Sequence, residues 1–322
     1  MSTFHPARIF FLLAREANKA IIFRRGPTKW TQMIVWDLDE NTLEFGQWTK
    51  IKLSPRRCDL SPNGEYLIYY DDQFEGISTT AISKPPYWET LCKWKHKYSG
   101  PNLGYGGGLF KSDTELYLNF STEGLFTSRV GLHYNINNDK YFEGNLASFL
   151  KIEGFSNKRS EYNFWKGHIN PLLEIRMKRD GWKEIEDKEF IEKETSNMVL
   201  RKPSKTWNNI SPNSKDPMEP KLFEKEITTS SFLWMITYYH SDLGKMLTTF
   251  YIKRRNIKTK LEGIAWADID YNGRIIGTKE GKLYGSKRLK DGSVQLSNLE
   301  MLHDLNSQKP TKISVPKGMK NW

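Results

Sequence analysis

Residues 58–70 read CDLSPNGEYLIYY, a polar turn followed by a run of apolar and aromatic residues. Two later segments share this pattern, GLFKSDTELYL at 108–118 and ADIDYNGRII at 267–276. Asn-Gly between extended runs favours a β-hairpin with a type I′ turn, whose two central residues both need positive φ. The sequence therefore predicts three related hairpins, at Asn63, Asp113 and Asn272.

The spacing of these hairpins indicates a repeat. Asn63 and Asp113 are 50 residues apart, and Asp113 and Asn272 are 159 apart, which is three times 53. A unit of about 50 residues suits one four-stranded blade of a β-propeller. We therefore predict an all-β fold in which residues 1–322 form a single propeller-like domain of about six irregular blades. Two intermediate copies are expected between 114 and 271, where the sequence does not show them clearly.

The middle of the chain departs from this pattern. Residues 183–196 are rich in acids, which is typical of a short helix or an exposed loop. Residues 201–221 contain four prolines among Ser, Asn and Lys, a composition typical of a long loop. We expect a loop-rich insertion at 183–221.

Composition excludes several classes of protein. The 322 residues carry a net charge of +11 and 13% aromatic residues, so the chain is neither disordered nor collagen-like. Two cysteines cannot form a disulfide framework, which favours a reducing compartment. The apolar runs at 9–14 and 232–239 are too short for a signal peptide or a membrane span and predict buried strands. We expect a cytoplasmic protein that does not associate with membranes.

The segment DLSPNG at 59–64 resembles the hairpin motif of TolB-type and WD-repeat-like propellers, and DIDYNG at 268–273 is a looser match. More widely, the chain resembles a set of uncharacterised bacterial proteins. The stretches that carry this wider resemblance are 24–27, 83–87, 106–110, 179–182 and 266–268. The resemblance implies a propeller fold and brings no activity with it.

No motif predicts a metal or a cofactor. The six histidines are scattered and the two cysteines are 34 residues apart, so neither has the spacing of zinc ligands. The chain has no Gly-x-Ser-x-Gly elbow and no Walker loop. The glycines at 106–108 lead into a strand, whereas a phosphate cradle also needs a helix N-terminus. We interpret them as a turn or a close backbone approach between blades.

Carboxylates offer the best enzymatic hypothesis. Asp59 and Asp268 occupy matching places in two repeats, and propeller hydrolases place acids around the central channel. The alternative, which we favour, is that each caps its own hairpin by accepting backbone N–H bonds. On this interpretation the sequence assigns no catalytic residue.

Basic and aromatic clusters are the candidate binding residues. The densest basic cluster lies beside Phe250 and Tyr251, a combination suited to a phosphate backbone, with a solvated loop as the alternative. The nucleic-acid candidates are Lys253, Arg254, Arg255, Lys258 and Lys260. Most of the eleven tryptophans should pack between blades. Beside the Pro85-Pro86 turn, Trp88 and Trp94 are expected to be exposed, and with Tyr87 they are the candidates for binding a partner.

Three functions remain open. The repeat and the missing catalytic motifs favour a non-enzymatic scaffold that binds another protein subunit in a bacterial multi-protein complex. The first alternative is association with nucleic acid through the basic patches. The second is a propeller-type hydrolase acting on a polar substrate such as a glycan.

Overall fold

A computed structural model describes ten stretches of the chain. They are residues 5–26, 28–73, 77–97, 106–119, 132–135, 140–143, 171–196, 219–240, 245–288 and 294–320. These stretches form five antiparallel sheets and two α-helices. None of the helices they contain has the length and apolar character needed to cross a membrane.

The first two sheets, blades 1 and 2, have four strands each. Blade 1 consists of β1 (Arg8–Leu13), β2 (Lys19–Arg25), β3 (Thr31–Asp37) and β4 (Thr42–Thr49). Blade 2 consists of β5 (Asp59–Leu60), β6 (Leu67–Asp71), β7 (Ile77–Ser83) and β8 (Thr90–Lys97). In both, each strand pairs with the next one along the chain, as in a meander.

Three further sheets and two helices complete the described structure. Blade 3 consists of β9 (Gly108–Phe110), β10 (Glu115–Leu118), β11 (Leu132–Asn135) and β12 (Lys140–Glu143). Blade 4 consists of β13 (Lys183–Ile185), β14 (Lys221–Thr228), β15 (Ser231–His240), β16 (Lys245–Arg254) and β17 (Ile257–Lys260). Blade 5 consists of β18 (Trp266–Ile269), β19 (Ile275–Lys279), β20 (Lys282–Arg288) and β21 (Val294–Asp304). The helices are α1 (Pro171–Arg179) and α2 (Lys188–Thr195).

The strands form where runs of apolar side chains can be buried against neighbouring sheets. Strand β2 reads KAIIFRR, with its central five residues buried, because both faces of this sheet are covered. Ile22, Trp36 and Trp266 belong to one apolar cluster that runs through blades 1, 4 and 5. A second cluster, which includes Phe23 and Leu60, joins blades 1 and 2. The apolar core therefore lies mainly between sheets, as expected for a propeller.

Contacts between the first strands of the blades give the order of the ring. Strand β1 contacts β5 and β18, and β5 contacts β9, so blades 5, 1, 2 and 3 follow one another. Strand β16 contacts β18, which places blade 4 beside blade 5. Helix α1 contacts both β9 and β13. The helix thus connects blades 3 and 4.

Blades 1 and 5 close the ring through side chains. Arg24 is buried on β2, and its guanidinium donates hydrogen bonds to the carbonyl oxygens of Leu305 and Asn306, at 3.0 and 3.1 Å. The Ala7 N–H donates to Oδ1 of Asn306 at 2.9 Å. The beginning of blade 1 is therefore joined to the end of blade 5.

All three repeat hairpins form where the sequence predicts them, but the two Asn-Gly turns differ from the predicted type I′. In the first and third, Gly64 and Gly273 have positive φ, at 76° and 75°, while Asn63 and Asn272 do not. The N–H groups of these glycines donate to the carbonyl oxygens of Ser61 and Asp270, each at 2.9 Å, so the central residues of the turns are 62–63 and 271–272, which lack the positive φ that type I′ needs. These turns match a type I turn followed by a left-handed glycine. The two-residue turn at Glu280–Gly281 has positive φ at both positions, 49° and 76°, as type I′ requires.

The all-β fold of blade-like sheets is confirmed, with four strands in four of the described sheets and five in blade 4. Both short apolar runs are strands, β1 and β15. Five sheets lie within the described residues, against the estimate of about six. Between blades 3 and 5 the described residues supply blade 4 and the helices α1 and α2. In the predicted insertion, 183–196 holds β13 and α2. Residues 197–218 lie outside the described residues, so the loop-rich insertion remains a prediction.

Candidate functional site

The site lies where the ring of blades leaves a central cavity of about 360 Å³. Strands β1 and β18 and the C-terminal end of α1 supply most of its wall, with Asp59 from β5 and Lys225 from β14. The charged residues of the wall are Arg15, Asp59, Arg176, Arg179, Asp180, Lys225, Asp268 and Asp270. Charged groups from five separate elements thus meet at one place.

Arg179 is the centre of the charge network. Its two terminal nitrogens donate to the two oxygens of Asp59, at 2.6 and 2.9 Å, in a bidentate pair. Its Nε also donates to Asp180 at 2.8 Å. The side chains of Arg179 and Asp59 are only 5% and 3% exposed, so water screens this pair weakly.

Phe110 on β9 ties this pair to blade 3. Its N–H donates to Oδ2 of Asp59 at 2.7 Å, and its carbonyl oxygen accepts from Arg179 at 3.1 Å. Burial alone would raise the pKa of Asp59, but Arg179 and this N–H more than offset it and the pKa is lowered. Burial likewise opposes the charge on Arg179, while Asp180 and Asp59 raise its pKa. Both groups are therefore ionised at neutral pH.

Two further arginines line the cavity and donate to backbone carbonyls. Arg15, in the turn after β1, donates to the carbonyl oxygens of Phe110 and Lys111, at 3.1 and 3.3 Å. Arg176 on α1 is buried and donates to those of Cys58 and Pro55. Burial lowers the pKa of both guanidiniums, which nevertheless stay charged in proteins.

The acids from the last blade also have cationic partners. Lys225 donates to Asp268 at 2.7 Å, and Arg274 donates to the buried Asp270 at 2.7 Å. Burial raises the pKa of Asp270, although Arg274 partly opposes this shift. Each of the four carboxylates that line the cavity is thus in contact with a cation.

The expectation that Asp59 caps its own hairpin is wrong. Asp59 bonds to blade 3 and α1, whereas Ser61 and Asn63 bond the backbone of its turn. Asp268 does accept a hydrogen bond from its neighbour, the Ile269 N–H, at 2.8 Å, in addition to its ion pair. Neither acid acts only as a hairpin cap, because each also binds a cation from another part of the chain, Arg179 for Asp59 and Lys225 for Asp268.

The basic cluster occupies the hairpin of β16 and β17. Arg254, Arg255 and Lys260 are exposed there. Lys258 pairs with Asp187 at 2.7 Å and lies 4.2 Å from the ring centre of Phe190. Lys253 lies 4.6 Å from that of Trp234. The hairpin therefore presents three of its five cations to solvent and turns the other two towards aromatic rings.

The expected exposure of Trp88 is wrong. Trp88 is buried between blades, 6.0 Å from the ring of Phe23 and 5.2 Å from that of Tyr69. Its Nε1 donates to the carbonyl oxygen of Gln47 at 2.9 Å. Tyr87 and Trp94 are half-buried. The neighbouring proline turn does not expose Trp88, because its large ring fills the space between blades 1 and 2.

The glycines at 106–108 make the close approach that the sequence suggests. A Cβ on Gly106 would lie 2.0 Å from the ring of Tyr70, and one on Gly107 would lie 2.1 Å from the carbonyl oxygen of Arg57. Both glycines have positive φ, at 92° and 79°. The lack of side chains lets blade 3 approach blade 2 closely. This packing role explains the glycines without a phosphate-binding loop.

Sequence reasoning missed the three arginines of the cavity. Arg176 and Arg179 are one turn apart on α1, but Arg15 lies 161 residues before Arg176, and the three match no motif, so only the fold brings Arg15 to the other two. The stretch RDGW at 179–182, noted for its wider resemblance, was the one sequence signal near them. In the part of the chain that the structure describes, no three His, Cys, Asp or Glu side chains group as metal ligands do.

No protein-family model matches this chain, and the search of curated proteins gives no match. Solved β-propeller structures are similar to it. The propeller domain of the Trilobed protease from Pyrococcus furiosus aligns with 94% of this chain and all of its own length, at 10% identity and a TM-score of 0.33. TolB from Acinetobacter baumannii aligns over 89% of this chain and 53% of its own, at 11% identity and a TM-score of 0.28.

Pyrococcus horikoshii acylaminoacyl peptidase aligns with 94% of this chain at 9% identity and a TM-score of 0.33. The chain spans 45% of that peptidase. Similarity at this level carries no information about activity. The site itself must therefore indicate the function.

Proposed function

We propose that this protein is a non-enzymatic interaction module that binds another protein subunit within a bacterial multi-protein complex. The proposal rests on Tyr271, which follows β18, borders the central cavity and is 69% exposed. Exposed tyrosines on a rigid frame are typical anchors of protein interfaces, because a large ring is buried there at a small cost in conformational entropy. The face that carries Tyr271 and the cavity mouth is the proposed contact surface.

The state of the acids supports a binding role over the hydrolase alternative. A glycoside hydrolase needs one carboxyl group that stays protonated near neutral pH and a second that is ionised. Asp59 is held ionised by Arg179, and Asp268 contacts Lys225. Asp270 has a pKa raised by burial, but its carboxyl group is buried and held by Arg274 at 2.7 Å. Burial raises the pKa of the Cys58 thiol to about 12, so this cysteine is protonated and a poor nucleophile at neutral pH.

Affinity capture from the source cells tests the proposal. The full chain, a Tyr271→Ala variant and an Ile77→Ala control serve as baits, and each captured protein is then purified and titrated against all three. Ile77 is 53% exposed on β7, so its loss controls for removal of an exposed apolar side chain elsewhere. Loss of a central aromatic anchor is expected to weaken binding about tenfold or more.

Two results would contradict the proposal. In one, purified partners bind Tyr271→Ala as tightly as the unaltered chain. In the other, the protein turns over a substrate and Asp268→Asn abolishes turnover while the fold is retained. The second result would favour the hydrolase alternative.

Nucleic-acid binding is a second candidate because of the hairpin of β16 and β17. Its exposed Arg254, Arg255 and Lys260 flank Ile257, which is itself 70% exposed. Cations beside an exposed apolar group suit a single strand, whose phosphates and bases are both accessible. Lys253 lies over the ring of Trp234 beside this surface, whereas Lys258 is already paired with Asp187.

Binding of labelled single-stranded DNA and RNA across a salt series tests this candidate. Replacing Arg254, Arg255 and Lys260 by Gln should reduce the slope of log K against log[salt] by up to about 3. The matched control replaces the exposed Lys309, Lys312 and Lys317 by Gln, which removes the same charge elsewhere. Equal slopes for the two triple variants, or no binding at moderate salt, would exclude this surface.

A further inference from the structure

We propose that a second cavity, between blades 1 and 2, binds a phosphate group, either as inorganic phosphate or as part of a small phosphate monoester. The cavity has a volume of about 300 Å³, and its wall comes from β1, β2, the segment 52–56 and the residue after β6. It lies at Arg25, which pairs with Arg8 at the beginning of β1, whereas the central cavity and Tyr271 border residues 13–15 at the other end. The proposal therefore goes beyond the interaction function and does not depend on it.

Two arginines in this wall have no partner. Arg25 and Arg56 both line the cavity and are half-buried, and within the described part of the chain neither guanidinium makes a hydrogen bond or an ion pair. Their terminal nitrogens keep accessible surface, so a ligand in the cavity can reach them. Cations that lose part of their hydration are normally paired in folded proteins. Two unpaired guanidiniums in one wall therefore indicate a site for an anion.

Each of these arginines faces another cation instead of an acid. Arg25 lies opposite Arg8 in the register of β1 and β2, and Arg56 is near Arg176, which donates to the carbonyl oxygen of Pro55. The pKa of each guanidinium is lowered, mainly by burial and then by that neighbouring arginine. Like charges at close range raise the energy of the unliganded protein, and a bound anion offsets that cost.

The wall stays positive when its neighbours are counted. Its own charged residues are Arg25, Lys52, Arg56 and Asp72. The segment 50–57, which leads from blade 1 to blade 2, carries four cations and no acid, and the acids nearest to it along β6 are Asp71 and Asp72. Asp71 already accepts a hydrogen bond from the Lys52 N–H at 2.8 Å. The three cations that line the cavity thus exceed its single acid by two charges.

A phosphate group matches this wall better than a carboxylate does. At neutral pH a phosphate monoester carries a charge of about −1.5 to −2 and presents three acceptor oxygens. Arginine is well suited to such oxygens because its planar fork donates two hydrogen bonds at once. Ser54 also lines the cavity, and its hydroxyl does not cap the 3₁₀ turn that follows it, so it offers a further donor. A carboxylate would balance only one of the two excess charges.

The rest of the wall suits the organic group of a phosphate ester. Phe10, Leu53 and Pro55 line the cavity beside the two arginines. A volume of about 300 Å³ is at the lower end of the range for small-molecule sites. Apolar contact with these residues would favour an ester over inorganic phosphate.

Isothermal titration of the full chain tests the proposal. The probes are phenyl phosphate and inorganic phosphate, and the controls are benzoate and phenyl sulfate, which carry one negative charge each. We expect saturable binding of at least one of the two phosphates and at least tenfold weaker binding of both controls. Arg25→Gln and Arg56→Gln should each weaken phosphate binding about tenfold or more, because each removes charge-assisted donors. Lys193→Gln removes an exposed cation on α2 and should leave binding unchanged.

Thermal unfolding distinguishes a binding role from a structural one. Since Arg25 and Arg56 face cations and make no ion pair, both variants should melt at or above the temperature of the unaltered chain when phosphate is absent. Added phosphate should raise the melting temperature of the unaltered chain and of Lys193→Gln more than that of either arginine variant. Lower melting temperatures for both arginine variants in phosphate-free buffer would show that these arginines hold the fold, and would contradict the proposal.

The comparison of probes identifies the source of the phosphate group. Tighter binding of phenyl phosphate indicates an ester, and equal or tighter binding of inorganic phosphate indicates the free ion. Dimethyl phosphate, a singly charged diester, represents a nucleic-acid backbone, and its binding more tightly than both phosphates would overturn the proposal. No saturable binding of either phosphate, binding of benzoate as tight as that of the tighter phosphate, or unaltered binding by both arginine variants would also overturn it.

Discussion

Arg179, in the last turn of α1, makes a bidentate ion pair with Asp59 on β5, 120 residues earlier in the chain. The pair connects the helix to blade 2, and through Phe110 it also connects blade 3. Contacts from three elements converge on two side chains that are almost fully buried. This pair therefore holds together the part of the ring where α1 stands between blades 3 and 4.

Removing one partner of this pair should destabilise the protein strongly. Arg179→Met leaves Asp59 buried without its main counter-charge, and such changes cost about 3–5 kcal/mol. The double variant Asp59→Leu/Arg179→Met removes both charges and should recover part of that loss. Urea unfolding measures the free energies. A double variant that is less stable than Arg179→Met would contradict this account.

The same pair should make stability depend on acid pH. The pKa of Asp59 is lower in the folded state than in the unfolded chain. Its ionised form therefore stabilises the fold fully at pH values above the unfolded pKa of about 3.9. That contribution is lost as the pH falls through the folded pKa. The buried Asp270 has a raised pKa and acts in the opposite direction, its contribution being lost as the pH rises. The test is the difference in unfolding free energy between the unaltered chain and Asp59→Asn, measured across the acid range. Asp270 is present in both proteins, so its contribution to the pH dependence cancels in this difference. The difference should shrink below about pH 4, and a constant difference would contradict the assignment.

Gly106→Ala should disrupt the contact between blades 2 and 3. The new methyl group would meet the ring of Tyr70 at 2.0 Å, on a backbone whose φ of 92° already disfavours a side chain. Overpacking and strain together should cost about 2–4 kcal/mol. Thermal unfolding measures the loss, and Gly318→Ala, where a Cβ meets nothing within 4 Å, is the control. Equal melting temperatures for the two variants would refute the close approach.

Arg24→Met should weaken closure of the ring. The variant keeps much of the buried stem but removes the donors to the carbonyl oxygens of Leu305 and Asn306, at a cost of about 2–3 kcal/mol. Hydrogen exchange should quicken at the end of blade 5 more than in blade 2, because the lost bonds belong to the junction of blades 1 and 5. The control is Arg254→Met, which shortens an exposed arginine. A uniform increase in exchange across the chain would instead indicate global destabilisation.

Local sequence was sufficient for the strands and the hairpins. Apolar runs such as 19–25 and 232–239 form strands because their side chains suit covered sheet faces. The repeat of about 50 residues predicted four-stranded blades because a turn after a short strand is a local signal. The type of the first turn was predictable too, since Pro62 at the second position and Gly64 at the fourth favour type I, but the Asn-Gly pair was given more weight.

Non-local partners explain the errors. Trp88 follows a proline turn, yet it is buried because Phe23 and Tyr69 come from other strands and enclose it. Asp59 has a matching position in the repeat, yet its partners lie 51 and 120 residues away. A hairpin pattern describes what lies within reach of one turn, whereas these contacts depend on how the blades are arranged.

The sequence by itself determined an all-β chain with repeated hairpins, a net charge of +11 and no recognised catalytic motif. The tertiary structure decided which charges meet. Arg15, Asp59, Arg179 and Lys225 become neighbours only when the ring forms, and burial then raises the energy of any charge or donor left without a partner. Backbone pairing and turn chemistry act over a few residues and can be predicted from local sequence. The cavity depends on contacts between distant segments, and only the closed ring creates them.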